Sequence, residues 1–158
     1  MYRRILVPLD GSRTSQLGLG EAVKLAKSQG SSLRLLHVVD EMVLMTAPEV
    51  PYDIDNLIEA LKKEGLTVLD KGAAHARKHG VKVQTTLVES FGGRAADVIV
   101  GEAAKWHASL IVLGTHGRRG LKRLVMGSDA EEVVRNAPAH TPVLLVRSAP
   151  APGSARRR

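Results

Sequence analysis

Glycines at fixed spacing mark residues 114–128 as the stretch whose backbone could contact a ligand directly. The stretch contains, in order, Gly114, Thr115, His116 and Gly117, then nine residues, then Gly127 and Ser128. An apolar run over residues 110–113 precedes it and predicts a buried strand. Residues 130–137 follow it and predict a helix, with Ser128 as its N-cap and Glu131 completing a capping box.

The chemistry that suits such a stretch is phosphate binding. A loop that leaves a strand and enters a helix offers unpaired N–H groups and the positive end of a helix dipole. Glycine lets the backbone approach a ligand with no Cβ atom in the way. The loop also carries four cations, Arg118, Arg119, Lys122 and Arg123. We therefore predict a phosphate-binding loop of a nucleotide site.

A plainer interpretation of the same residues stays open. Glycines in ordinary turns and a solvated basic loop would produce this sequence without any ligand. The spacing also matches neither the P-loop pattern G-x-x-x-x-G-K-[ST] nor the dinucleotide-binding pattern G-x-G-x-x-G.

Composition bounds the class of protein. The chain has 158 residues, which predicts one domain with a core of its own. Aromatic residues make up only 3%, so a stacking platform for nucleic acid is not expected. Cysteine is absent, and no apolar run approaches the roughly 20 residues of a membrane span. Since no signal-peptide pattern follows Met1, we expect a cytoplasmic protein with no membrane contact.

The net charge of +7 includes three arginines at the very end of the chain, Arg156, Arg157 and Arg158. They close a segment rich in proline, alanine, glycine and serine, which predicts a disordered basic tail over residues 148–158. A basic balance permits nucleotide or nucleic-acid binding without specifying either.

Strands and helices are predicted to alternate along residues 1–147. Apolar runs predict strands at residues 4–7, 33–39, 110–113 and 142–147, and alternation of apolar and polar residues predicts one at 81–88. Helical periodicity predicts helices at 15–29, 53–79, 94–107 and 130–137. This alternation is typical of an α/β fold with a mostly parallel sheet and helices on both faces. The half-polar strand at 81–88 is predicted to lie at an edge.

Asp10 and Gly114 both follow predicted strands directly. Ligands of open α/β sheets bind beyond the carboxyl ends of the strands, where the strand order reverses. If the first and fourth strands are neighbours, Asp10 and Gly114 line one crevice. Asp10 could instead be a turn residue that caps the first helix.

Other candidates receive structural interpretations. Gly18 and Gly20 interrupt the first helix and are predicted to pack closely against the sheet. His37 is predicted to be a hydrogen-bonded sheet residue. His75 and His79 have the spacing of a metal pair on a helix, but with no third ligand evident they are interpreted as a solvated face.

Three motifs in this order resemble the universal stress protein family over the whole folded length. They are Ile5-Leu-Val-Pro-Leu-Asp10-Gly-Ser, Leu36-His-Val38-Val-Asp40, and Gly114-x2-Gly117-x9-Gly127-Ser128, the last with the spacing of the family's ATP-binding signature. The resemblance implies a universal stress protein domain over residues 1–147. It also implies an open five-stranded parallel sheet of order 3-2-1-4-5, Rossmann-like and similar to adenine nucleotide alpha hydrolases.

The resemblance further implies ATP as cofactor, with or without Mg²⁺, and a homodimer joined through the last strand. Pro8 is implied to be one of the cofactor-binding residues. Asp10 would face the adenine and ribose, and Val38 would contact adenine through its backbone. The phosphates would be held by Gly114, His116, Gly117, Gly127 and Ser128. One departure is Asp129, which stands where the nucleotide-binding branch often has a small apolar residue. Its carboxylate could repel phosphate or hold Mg²⁺.

Three functions follow as hypotheses. The first is a stress-response protein that senses or signals through nucleotide occupancy, with a signalling partner that the sequence does not identify. The second is slow ATP hydrolysis or autophosphorylation on a hydroxyl such as that of Ser128 or Thr115, although no water-positioning base is evident. The third is an interaction module that no longer uses nucleotide, whose basic loop and tail bind an acidic partner or RNA.

Overall fold

The computed structural model describes residues 1–41, 53–115 and 127–147, in which five strands alternate with four helices. The strands are β1 (Arg4–Pro8), β2 (Ser32–Asp40), β3 (Lys82–Ser90), β4 (Leu110–Gly114) and β5 (Val143–Val146). The helices are α1 (Arg13–Gln29), α2 (Ile54–Lys78), α3 (Ala95–Lys105) and α4 (Ser128–Asn136). The predicted element order is confirmed, with bounds that shift by one or two residues at most ends.

The five strands form one sheet in the order β3-β2-β1-β4-β5, and every pairing is parallel. The implied strand order is therefore confirmed. β1 lies at the centre, where Pro8 pairs in register with Leu36 of β2 and Leu6 with Ile111 of β4. Since β3 pairs only with β2 among the described strands, its predicted edge position is also confirmed.

Two apolar layers enclose the sheet because alternate side chains of each strand face opposite sides. Ile5 and Val7 of β1 pack with α1 and α2, whereas Leu6 packs with α3 and α4. The predicted stripe of α1, composed of Leu19, Ala22, Val23 and Ala26, is buried in the first layer. Every one of these strand side chains is inaccessible to solvent, which fixes the register of the sheet and hence the position of its carboxyl edge.

Three helices end in the same left-handed turn. Gly30 after α1 and Gly80 after α2 have φ of 68° and 75°, the conformation in which glycine is favoured. α3 ends in a similar way, but His107 occupies this position with φ of 52°. The N–H of Ala108 donates to the Ala103 carbonyl at 2.8 Å and so closes the end of α3.

Glycines allow α2 to lie close to the sheet. A Cβ atom on Gly65 would stand 2.5 Å from Cδ2 of His37, and one on Gly72 would stand 2.9 Å from Cδ1 of Leu9. Gly18 of α1 is buried beside Gly114, as predicted. The prediction for Gly20 is wrong, because no atom lies within 4 Å of the position its Cβ would take.

A charged side chain lies in the core between β2 and α3. The Arg34 guanidinium contacts the Glu102 carboxylate at 2.5 Å, donates to Gln84 Oε1 at 2.9 Å, and covers the Trp106 ring at 4.6 Å from its centroid. The side chains of Arg34 and Glu102 are only 19% and 9% exposed. Nothing in the sequence pattern predicted this pair.

Candidate nucleotide site

The carboxyl ends of β1 and β4 lie side by side, and the strand order reverses between them. From β1 the chain continues to β2 and β3 on one side, and from β4 to β5 on the other. Such a reversal opens a crevice at the sheet edge, since the connections leave in opposite directions. Asp10 follows β1 and Gly114 ends β4, and because β1 and β4 are neighbours, the condition under which both residues border one crevice is met.

Asp10 builds the turn that leads from β1 into α1. Its Oδ1 accepts a hydrogen bond from the Ser12 N–H at 2.9 Å, and the residue is half-buried. Ser12, rather than Asp10, is the N-cap of α1, because its Oγ accepts from the Ser15 N–H at 3.2 Å. The alternative in which Asp10 caps the helix is therefore wrong, but its role as a turn residue is real.

The segment before Asp10 is fixed by β2. The Leu9 N–H donates to the Leu36 carbonyl at 2.8 Å, and the Leu9 carbonyl lies 2.7 Å from Nδ1 of His37. His37 is 6% exposed and is packed against Gly65, so its prediction as a hydrogen-bonded sheet residue is confirmed. Sequence reasoning missed that this bond positions the carbonyl directly before Asp10.

Pro8 and Val38 lie on the two strands that lead to the crevice. Pro8 is the last residue of β1, and it pairs with Leu36. Val38 lies two residues beyond Leu36, as Asp10 lies two residues beyond Pro8, and Val38 is half-buried against the layer that holds α3 and α4. Asp10 and Val38 therefore both lie two residues beyond the last pair of β1 and β2, near the carboxyl end of β1.

Gly114 meets the start of α1. A Cβ atom there would lie 2.8 Å from the carbonyl carbon of Thr14 and 2.9 Å from both the Thr14 oxygen and the Ser15 nitrogen. A side chain at position 114 would therefore collide with backbone. The spacing of the glycines did not predict this contact. It explains why a glycine is needed at position 114 whether or not a ligand binds.

α4 begins at the same edge, but one residue earlier than predicted. Gly127 is the N-cap and Ser128 the first helical residue, and no side chain caps this end, so the predicted capping box is wrong. The Gly127 N–H donates to the Thr115 carbonyl at 2.8 Å, which ties the start of the helix to the end of β4. Glu131 pairs instead with Arg135 at 2.8 Å.

The exposed first turn of α4 carries Ser128 and Asp129. Asp129 and Glu131 place negative charge at the positive end of the helix dipole, where it is stabilising. His116, Gly117 and the four loop cations lie outside the described residues, as does the tail over 148–158. Among the residues that the structure describes, Asp10, Val38, Gly114, Gly127 and Ser128 thus lie at the carboxyl edge.

Two further observations concern metals and membranes. His75 and His79 are exposed, with ring centroids 4.6 Å apart, and within the described ranges no group of three or more candidate ligands could hold a metal ion. In the same ranges, every helix is too short or too polar to cross a membrane.

An open parallel α/β domain with a crevice at its switch point is the class of protein that this fold and site define. The model of the universal stress protein family matches residues 1–147. A universal stress protein from Methanocaldococcus jannaschii is 38% identical over 148 residues, which cover 93% of this chain and 83% of that protein. The chain belongs to the universal stress protein family.

Solved structures show the same fold. A universal stress protein family member from Burkholderia pseudomallei superposes with a TM-score of 0.74 at 35% identity, over 93% of this chain and 97% of that one. The universal stress protein from Archaeoglobus fulgidus, solved in complex with dAMP, superposes with a TM-score of 0.64 at 24% identity. The latter match covers 92% of this chain and 98% of that one.

Proposed function

We propose that this chain is a cytoplasmic stress-response protein that binds ATP in the crevice between β1 and β4 and signals through its nucleotide occupancy. The observation that carries the proposal is the meeting of three features at one sheet edge. These are the Asp10 turn, Val38 two residues past the last pair of β1 and β2, and the start of α4 at Gly127 and Ser128, which no side chain caps. The dAMP complex of the Archaeoglobus relative supports an adenine nucleotide as the ligand class.

The chemistry of the edge assigns an orientation to the nucleotide. The Asp10 carboxylate would repel phosphate but can accept hydrogen bonds from ribose hydroxyls or the adenine amino group. The phosphates belong at the start of α4, where the dipole is positive and the Ser128 hydroxyl makes no capping bond. Asp129, one residue further, favours a nucleotide whose charge is reduced by Mg²⁺.

ATP is expected to bind in isothermal titration and to raise the melting temperature. At an ATP concentration of 100 times the dissociation constant, mass action stabilises the folded state by about 2.7 kcal/mol. For a domain of this size that corresponds to a rise of roughly 5–10 °C. The Asp10→Asn variant should bind ATP about tenfold more weakly, because a charge-assisted hydrogen bond is lost.

Asparagine suits this test because its side-chain oxygen can still accept from the Ser12 N–H and preserve the turn. Asp70→Asn, an exposed change of the same charge on α2, is the matched control and should leave ATP affinity unchanged. The absence of heat and of any thermal shift at millimolar ATP would overturn the nucleotide proposal. Equal affinity of Asp10→Asn and wild type would overturn the role given to Asp10.

The proposed homodimer forms through β5. This strand pairs only with β4 among the described strands, and Leu144 on it is 38% exposed. An apolar edge strand is an aggregation hazard unless another element covers it, and a second copy would do so.

Leu144→Lys is expected to weaken the dimer at least about tenfold, because a charge would be buried at the shared edge. Sedimentation velocity across a concentration series measures the change. Leu66→Lys, at a 52% exposed position on α2, is the control and should leave the dimer intact. A wild-type chain that sediments as a monomer at every concentration would contradict the proposal.

A further inference from the structure

A basic cavity opens at the edge of the sheet opposite to the crevice, where the strands begin. Its volume is about 800 Å³, and its lining includes Arg3, Arg4, Gln29, Ser32, His107 and Ser109. None of the residues that line it is acidic. Its size falls within the range of about 300–1,000 Å³ typical of small-molecule sites.

The positive charge around the cavity is not neutralised within the described part of the chain. Arg3, Arg4 and His107 are exposed, and none of them forms a salt bridge there. Lys27 and Lys105 do not line the cavity; they lie in the last turns of α1 and α3, where a cation complements the helix dipole. Arg3 and Arg4 lie outside the helices, so the helix dipole does not account for them. Arg4 contacts the His107 carbonyl, and neither arginine has an acidic partner among the described residues.

The backbone under these cations is held firmly. The Tyr2 N–H donates to Gln29 Oε1 at 2.7 Å, and the Ser32 N–H donates to the Arg3 carbonyl at 2.9 Å. The Arg4 N–H donates to Ser109 Oγ at 3.0 Å. A rigid rim of this kind lowers the ordering cost when a ligand binds.

His107 stands on this rim in a strained conformation. At the equivalent position α1 and α2 have glycine, which adopts a left-handed φ without cost, whereas histidine is disfavoured there. The Arg4 Nε donates to the His107 carbonyl at 2.9 Å, so the Arg4 side chain is joined to the backbone of His107, and both residues line the cavity. A residue with a strained backbone that lines a cavity is a reason to look for function.

We infer that this cavity is a second binding site, for a small anion that carries two or more phosphate groups. The guanidinium of Arg3 and the two Nη groups of Arg4, whose Nε already donates to the His107 carbonyl, offer donors that match phosphate oxygens. The His107 imidazole adds a third donor group. The site is independent of the crevice, because it lies at the amino ends of the strands and shares no residue with the carboxyl edge.

Titration with inorganic tripolyphosphate, followed by amide chemical shifts, tests the inference. We expect saturable shifts at Gly30, Ser32, His107 and Ser109, and weaker binding as salt is raised. Shifts at Thr115, Gly127 and Ser128 would report the crevice instead. An ATP titration shows whether a nucleotide can supply the phosphate groups, since ATP would then shift the amides of both edges.

Two histidine variants separate binding from folding. His107→Gly is expected to raise the melting temperature by about 2 °C through relief of the left-handed φ, and yet to weaken tripolyphosphate binding several-fold. His140→Gly is the matched control, because His140 also has a left-handed φ, of 68°, and does not line the cavity. It should raise the melting temperature equally and leave binding unchanged.

The double variant Arg3→Gln/His107→Gly should lose at least about tenfold in affinity, whereas Lys63→Gln, an exposed change on α2, should lose none. The inference is overturned if no amide at the amino edge shifts, or if His107→Gly and His140→Gly bind equally well. It does not depend on the nucleotide proposal, since Asp10→Asn should retain all shifts at the amino edge.

Discussion

Gly114→Ala is expected to lower the free energy of unfolding by about 3 kcal/mol, the upper end of what overpacking usually costs. The added methyl group would lie 2.8–2.9 Å from three backbone atoms of Thr14 and Ser15, and backbone at the start of α1 cannot rotate away as a flexible side chain can. Urea denaturation measures the loss, and the melting temperature should fall by roughly 6–12 °C.

Gly20→Ala is the matched control. It makes the same chemical change within α1, where no atom lies within 4 Å of the new methyl group. Because alanine favours a helix more than glycine does, the change should stabilise the chain by up to about 1 kcal/mol. A Gly114→Ala variant as stable as wild type would show that β4 and α1 are further apart than described. A destabilised variant that keeps wild-type ATP affinity would show that this signature glycine serves packing.

Glu102→Leu is expected to cost about 2–3 kcal/mol, because it leaves the Arg34 guanidinium without a counter-charge in a largely buried site. The full range for breaking a buried ion pair is about 3–5 kcal/mol, and the 19% exposure of Arg34 lowers our figure by partial solvation. Equilibrium denaturation gives the value directly.

The double variant Arg34→Met/Glu102→Leu is the companion measurement. Replacing both charges by apolar groups of similar volume should recover most of the lost stability, as is common for buried pairs. The comparison includes Arg34→Met alone. If the losses of stability of Glu102→Leu and Arg34→Met simply add in the double variant, the two charges do not interact, and the contact at 2.5 Å does not contribute to stability.

Much of the fold was predictable because the buried faces of helices and strands require apolar residues at regular spacing in the sequence. Residues 110–113 and 143–146 are apolar on both faces and lie in β4 and β5. The α1 stripe repeats at helical spacing and is buried as predicted. The strand order itself came from the resemblance, since composition and periodicity do not distinguish one parallel arrangement from another.

The predictions that were wrong concern contacts between distant parts of the chain. Ser128 has the side chain of an N-cap, but the bond between Gly127 and Thr115 begins the helix one residue earlier. Gly18 and Gly20 are equivalent in the sequence, yet only Gly18 lies beside β4. Arg34 and Glu102 are 68 residues apart, so no local pattern could reveal their pairing.

The sequence predicts at which edge of the sheet the candidate site lies and which types of residue line it. It does not predict the contacts that hold those residues in place. Asp10 and the glycines identify the carboxyl edge because chain turns and helix starts have local signatures. The bond between His37 and Leu9, which holds the chain before Asp10, joins two elements and has no such signature. The ligand-binding roles given to the site residues all remain predictions, and these residues are Pro8, Asp10, Val38, Gly114, His116, Gly117, Gly127 and Ser128.

Thr115 connects the crevice to the outermost strand. Its N–H donates to the Val146 carbonyl at 3.0 Å, and its carbonyl accepts from the Gly127 N–H at 2.8 Å. Any tilt of α4 that accompanies ligand uptake would therefore pull, through one residue and two bonds in series, on the last peptide of β5. The position of β5, and hence the binding of a molecule along that strand, would then depend on whether the crevice holds a ligand. This coupling needs no chain of contacts through the core.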